Sequence, residues 1–134
     1  MIHQLPIRVY YEDTDLAGIV YYANYLKFIE RGRSELVRAL GISQTQIKDD
    51  TGVVFAVRRV EADYLLPATL EDDLMVETEV LSVGGARAVM RQLVKRGETV
   101  LFQADVTIVS LADTGRPARF PAEFRSKLTE FGEN

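Results

Sequence analysis

The residues with the greatest chemical capacity stand together near the N-terminus, in Glu12-Asp13-Thr14-Asp15, with Gly18 shortly after. Carboxylates are ionised near neutral pH unless strongly perturbed. Each can therefore take a proton, ligate a cation or cap a turn. Calcium is excluded by spacing. An EF-hand loop opening at Asp13 needs an oxygen ligand at its fifth position and Glu at its twelfth. Those positions hold Ala17 and Asn24. Two readings remain for Asp15, a general base or a side-chain cap of its own turn. Asp13 is read as a second base or as an Asx-turn residue shaping the loop.

Other catalytic schemes lack parts. The chain has no cysteine, hence no thiol nucleophile and no disulfide framework. His3 is the only histidine, and it is read as an exposed terminal residue. No other His or Cys exists to complete a metal set. The segment Gly32-Arg33-Ser34-Glu35-Leu36 imitates a nucleophile elbow but lacks the final glycine, and it lies within a helical pattern. A Ser-His-Asp triad is thus disfavoured. No glycine-rich phosphate loop occurs.

The elements that must position these carboxylates follow from periodicity. Ile7, Val9 and Tyr11 alternate with Arg8, Tyr10 and Glu12 as in a strand. Met1 to Leu5 read as a short tail. After Gly18, whose residue type tolerates positive φ, Tyr22, Tyr25, Ile29, Leu36 and Leu40 recur at helical spacing and Gly41 stands where a helix ends. A strand, an acidic turn and a long helix in sequence bring a carboxylate beside free helix N-terminal N–H groups.

Downstream, Ile42 to Asp50 reads as a connector in which Ser43 can cap a helical turn. Val53 to Tyr64 is β-rich. Leu65 to Asp73 is a loop marked by Pro67 and the acidic run at 71–73. Leu74, Val76, Thr78 and Val80 form one face of a strand. Gly84-Gly85 signals a hairpin into a return strand from Ala86 to Lys95. A turn at Arg96-Gly97-Glu98 leads to a strand from Thr99 to Leu111. Pro121 opens a final short helix with Phe124, Leu128 and Phe131 at helical spacing. This order predicts an α+β fold, an antiparallel sheet of about five strands with one long helix to cover.

At 134 residues the expectation is a single domain spanning 1–134. Such a chain buries roughly 68% of its unfolded surface. The net charge of −4 argues against general nucleic-acid affinity. No run approaches ~18 consecutive apolar residues, and Met1 to Val9 shows no apolar signal region. A cytoplasmic protein without an integral membrane segment is expected.

The stretch carrying Asp13, Asp15, Gly18, Ile19, Val20, Tyr21, Tyr22 and Tyr25, continuing through FIERGRSEL, resembles the hotdog-fold acyl-CoA thioesterases of the 4-hydroxybenzoyl-CoA thioesterase type. It is most similar to their Tol-Pal-associated YbgC group. The resemblance implies a sheet wrapped round one central helix. It implies hydrolysis of acyl-CoA to free acid and CoA without metal or redox cofactor.

It also implies that Asp15 is the catalytic carboxylate, as general base or as nucleophile through a mixed anhydride. The backbone N–H of Tyr22 becomes the oxyanion donor at the helix start. Relatives often carry His at this position. Glu30 matches a second acidic position, with a salt bridge as the alternative. Arg58, Arg59, Arg87, Arg116 and Arg119 are the candidates for holding CoA phosphates, against ordinary solvated charges. Family members pair edge to edge into dimers and often tetramers. That implies a homo-oligomer with the active site at the dimer seam, since open sheet edges invite pairing. Two other readings are an acyl-CoA or acyl-carrier-protein binding module and a hotdog dehydratase or hydratase. The latter chemistry typically uses a His that the motif region lacks.

Overall fold

The computed structural model describes residues 1–133. The strands β1 (Ile2–Arg8), β2 (Val54–Tyr64), β3 (Asp73–Val83), β4 (Arg87–Arg96), β5 (Thr99–Leu111) and the two-residue β6 (Pro117–Ala118) form one antiparallel sheet. Its order is β1-β3-β4-β5-β2, with β6 on β5. The sequence reading anticipated about five strands; β6 is the addition. It forms because Gly115, at φ +84, turns the chain back so that Ser110 and Leu111 pair with Ala118 and Pro117.

Among the described residues three α-helices accompany the sheet, namely α1 (Asn24–Ala39), α2 (Gln44–Thr51) and α3 (Ala122–Glu133). α1 is the longest, at 16 residues. It packs on β1, β3 and β4, while α3 packs on β3. Tyr25, Phe28, Ile29, Leu36 and Val37 of α1 are buried. So are Phe124, Leu128 and Phe131 of α3. On β3, the inward set is Leu74, Val76, Thr78 and Val80, as the alternation required.

Several boundaries differ from the sequence reading. The segment read as a tail is strand β1, from Ile2↔Glu79 to Arg8↔Asp73. Its alternation is shifted toward the N-terminus, with His3, Leu5 and Ile7 turned inward. Pro6 is tolerated because β1 is an edge strand. His3 is accordingly half-buried, and its Nδ1 is buried without a hydrogen-bond partner. Val9 is buried just past the strand, and Tyr11 belongs to a one-turn 3₁₀ helix, Tyr11–Asp13. The stretch read as a connector contains α2. Ser43 Oγ caps it by accepting from the Gln46 N–H at 3.1 Å.

α1 approaches the sheet closely at Gly32. A Cβ built there would lie 2.7 Å from Val76 Cγ1 and 3.1 Å from both Gln92 Nε2 and Thr78 Oγ1. Gln92 is fully buried and spans this contact. Its Nε2 donates to the Ile29 carbonyl (2.8 Å) and to Thr78 Oγ1 (2.9 Å), and its Oε1 accepts from Arg33 Nη1 (2.9 Å). Gly32→Ala would gain up to ~1 kcal/mol of helix propensity. The clash with a buried, β-branched neighbour costs about 1–3 kcal/mol. A lower denaturation midpoint is therefore expected; an equal or higher midpoint in urea would refute the close-approach argument.

Candidate active site

The acidic turn is stitched to the start of α1 by main-chain bonds. Asp13 Oδ2 accepts from the Tyr10 N–H at 2.8 Å and closes the 3₁₀ turn. The Asp13 carbonyl accepts from the Tyr21 N–H and from Asn24 Nδ2, both at 2.9 Å. Asp13 therefore shapes the turn as a capping-box residue, its carboxylate reaching back to the Tyr10 N–H, and not through the Asx turn read from the sequence, which takes the N–H two residues ahead. Next, Thr14 bridges Val20, the Asp15 N–H donates to the Ile19 carbonyl (2.9 Å), and the Gly18 N–H donates to the Asp15 carbonyl (3.0 Å). Gly18, at φ +79, makes the reversal possible.

Asp15 is exposed at this reversal. Its Oδ1 accepts from the Ala17 N–H at 2.9 Å, the side-chain cap that sequence reasoning offered as the alternative to a base. Its Oδ2 has no partner among the described residues. One oxygen holds the turn and the other remains open, so the two readings are compatible.

Tyr22 precedes the helix and does not start it. α1 begins at Asn24 with Ala23 as N-cap. The shift arises because the Asn24 N–H already bonds the Tyr21 carbonyl at 2.8 Å in a turn that leads into the helix. Ala23 offers no side-chain cap, where Ser, Thr, Asp or Asn would usually occupy a helix's orphan donors. The N–H groups of Tyr22 and Ala23 carry no hydrogen bond among the described residues. They sit at the positive end of the helix dipole.

Behind this corner stands an aromatic wall. Tyr22 meets Tyr21 at 5.0 Å and Tyr64 at 6.0 Å between ring centroids. Tyr25 stacks on Phe102 at 5.0 Å and contacts Tyr64 at 5.6 Å. Burial raises the Tyr25 phenol above its ordinary pKa, against an opposing Ala68 N–H bond to its oxygen (3.1 Å). Tyr64, at the end of β2, donates its hydroxyl to the Tyr22 carbonyl at 3.1 Å. Sequence reasoning missed Tyr64 and Asn24 as parts of this corner. Asn24 carried a legible signal, since a short amide near a helix start is a common backbone partner. Tyr64 carried none, being 42 positions distant in sequence.

Glu30 stands apart from Asp15. It lies six residues into α1 beyond Asn24, about 9 Å along the axis. There it accepts from Ser34 Oγ at 2.8 Å and lines a cleft of about 190 Å³ with Arg33, Val37, Phe55 and Met90. Burial lowers the Arg33 pKa, and Glu30 partly offsets it.

The five arginines do not form one cluster. Arg59 pairs with Glu61 at 2.7 Å on β2, and Arg58 occupies a bulge in the same strand. Arg87 opens β4 opposite Val109. Arg119 packs against Gly85 and lines an open cleft of about 610 Å³ with Arg125 of α3. Arg116 is exposed in the turn before β6. Tyr64 pairs with Phe102 and Arg87 with Val109. Seven residues of β5 therefore separate Arg87 from the aromatic corner, about 23 Å. Among the described residues no group of three or more His, Cys, Asp or Glu converges on a metal position. Among the described residues no helix is long and apolar enough to cross a membrane.

Comparison with known proteins agrees with this architecture. Residues 17–103 match the thioesterase superfamily model. The acyl-CoA thioesterase YbgC of Haemophilus influenzae is 42% identical over 123 residues, covering 90% of each chain. The acyl-CoA thioester hydrolase YbgC of Escherichia coli O6:H1 is 38% identical over 126 residues, 90% of this chain and 93% of that one. A crystal structure of a probable thioesterase from Bartonella henselae superposes with a TM-score of 0.87 at 37% identity, covering 90% of this chain and all of the other. The sheet and α1 form the hotdog fold that the motif implied. With that fold, and with a family match running from Ala17, just after Asp15, into β5, the chain belongs to the thioesterase superfamily.

Proposed function

We propose that this chain is an acyl-CoA thioesterase, converting an acyl-CoA and water to a free acid and CoA. The observation that carries this reading is the pairing of an open Asp15 oxygen with unbonded N–H groups at an uncapped helix start, tied together through Asp13. Thioester hydrolysis needs a base or nucleophile, and donors for the oxyanion that develops. Asp15 supplies the first, as base toward water or as nucleophile through a mixed anhydride. The backbone N–H of Tyr22 supplies the second. The scheme requires no metal or redox cofactor. Asp13 shapes the turn, and Glu30 acts on α1 away from the reacting carbonyl of its own subunit. The domain is taken to span the whole chain, working in the cytoplasm.

The assay is thiol release from acyl-CoAs of varied chain length and with aromatic acyl groups. Turnover is expected on at least one of them. CoA-ester binding without turnover across the panel would leave a binding module. In single turnover in ¹⁸O-water, label in the Asp15 carboxylate establishes a mixed anhydride opened by water at the aspartyl carbonyl, whereas label only in the acid product fits either general-base catalysis or water attack at the acyl carbonyl of the anhydride.

The site is proposed to lie at a homodimer seam. β2 is an edge strand of 11 residues, exposed from Val57 to Tyr64 and free of proline. Such an edge is a template for pairing. The other edge, β1, is shorter and interrupted by Pro6. Antiparallel β2 pairing about a two-fold axis brings the arginine end of one subunit toward the Tyr64 end of its partner, which supplies CoA contacts that one subunit alone spreads over about 23 Å. Light scattering at micromolar concentration is expected to give a dimer or tetramer. A monomer would overturn this assembly.

A further inference from the structure

The loop between β2 and β3 grips both ends of the segment that carries Asp15. Its turn closes with the Asp72 N–H donating to the Thr69 carbonyl at 3.1 Å. Glu71 lies at φ 69, the one non-glycine residue with positive φ among the described residues. A bulky side chain in that region persists only where its surroundings hold it. Here the hold is the Asp72 carboxylate. Its Oδ2 accepts from the Thr69 N–H (2.8 Å), from Thr69 Oγ1 (3.2 Å) and from Arg96 Nη1 (2.7 Å). Arg96, at the end of β4, also donates to the Pro67 carbonyl at 3.4 Å. Burial pushes the Asp72 pKa up, yet the Thr69 and Arg96 bonds outweigh it and leave it below the ordinary carboxylate value.

The loop so held reaches the acidic turn on two sides. The Val9 N–H donates to the Asp72 carbonyl and the Glu71 N–H to the Val9 carbonyl, both at 3.0 Å, just upstream of the turn. Downstream, Thr69 bridges Ile19, and the Val20 N–H donates to the Ala68 carbonyl at 2.9 Å. Ile19 is the residue whose carbonyl receives the Asp15 N–H. The Arg96–Asp72–Thr69 group is thus joined to Asp15 in two main-chain steps, the Val20 N–H to the carbonyl of Ala68, next to Thr69, and the Asp15 N–H to the carbonyl of Ile19, next to Val20. Val9, Val20 and Ala68 are buried in the same core cluster, so apolar packing also holds this segment. The carboxylate latch sets its register.

We propose that Asp72, locked by Arg96, is a positioning residue that fixes the Asp15 carboxylate relative to the start of α1. The proposal rests on the thioesterase reading for its catalytic consequence, but not for its structural one. Misplacing a reacting group by about 1 Å can cost ~10²-fold in rate. With packing still in place, kcat is expected to fall ~10-fold or more in Asp72→Asn and Arg96→Met, with KM changed less than ~3-fold. Arg96→Lys, which keeps the charge, should recover most of that loss.

Native-state hydrogen exchange supplies a readout independent of activity. The Asp15 and Val20 amides should exchange ~10-fold faster in Asp72→Asn and Arg96→Met, while amides of β4, β5 and α1 keep their rates. Equal acceleration everywhere would mean the latch only stabilises the fold, and would overturn the proposal. So would unchanged exchange at Asp15 and Val20, a loss confined to KM, or no recovery with Arg96→Lys. If the exchange result holds but Asp15→Asn retains full activity, the catalytic assignment of Asp15 fails and the latch stands as a structural device.

Discussion

Asp15→Asn is expected to lower kcat by at least ~10²-fold, the scale of losing a positioned acid–base group or nucleophile. The geometry makes this substitution a clean one. Asp15 Oδ1 holds its turn by accepting from the Ala17 N–H, and an asparagine oxygen can accept the same bond. Charge is lost while the turn is kept. Asp15→Ala removes both, so it should add a stability loss of about 0.5–1.5 kcal/mol, toward the low end because the site is exposed. Comparable kcat losses in both variants, with the stability loss only in Ala, would separate chemistry from packing. Asp13→Asn is the control. Asp13 is engaged with the Tyr10 N–H, so its kcat should fall far less. Near-normal kcat in both Asp15 variants would move the carboxylate function elsewhere, first to Asp13 and then to Glu30.

The second large effect concerns a main-chain group. Tyr22→Pro deletes the proposed oxyanion donor and should cost ~10²–10³-fold in kcat, as loss of one such donor typically does. The Tyr22 N–H has no hydrogen bond to lose among the described residues, so the fold is expected to persist; circular dichroism checks this. Tyr22→Phe should cost less than ~10-fold in kcat/KM, about 1.4 kcal/mol. No hydrogen bond from the Tyr22 hydroxyl exists among the described residues, and its carbonyl remains available to Tyr64. Equal damage from Phe and Pro would make the phenol the working group. Small effects in both would shift the donor to the N–H of Ala23, the neighbouring unbonded group.

The order of elements was readable from the chain because it is a local property. Alternation from Leu74 to Val80 and helical spacing from Tyr25 to Leu36 each record one buried face. The turn chemistry of Asp13, Asp15 and Gly18 is likewise local, and the structure carries it through bonds spanning two to eleven residues. The resemblance to thioesterases lay in the same short stretch. Periodicity failed where register was set from a distance. Residues 2–5 form a strand only because β3 offers a partner more than seventy positions away. That pairing also draws the sole histidine inward.

Tertiary structure alone decided what stands around the acidic turn. Tyr64 reaches the Tyr22 carbonyl because β2 runs along β5 to the aromatic corner. Gly32 is required not by any helix rule but by the Val76, Thr78 and Gln92 side chains beneath it. Asp72 and Arg96 look like surface charges in the sequence, and the grip of their loop on residues 9 and 19–20 arises only when β1, β3 and β4 lie side by side. Side-chain type and near-neighbour spacing determine which chemistry a segment is able to do. Which groups hold that segment in place depends on long-range pairing, and pairing leaves little trace in local sequence.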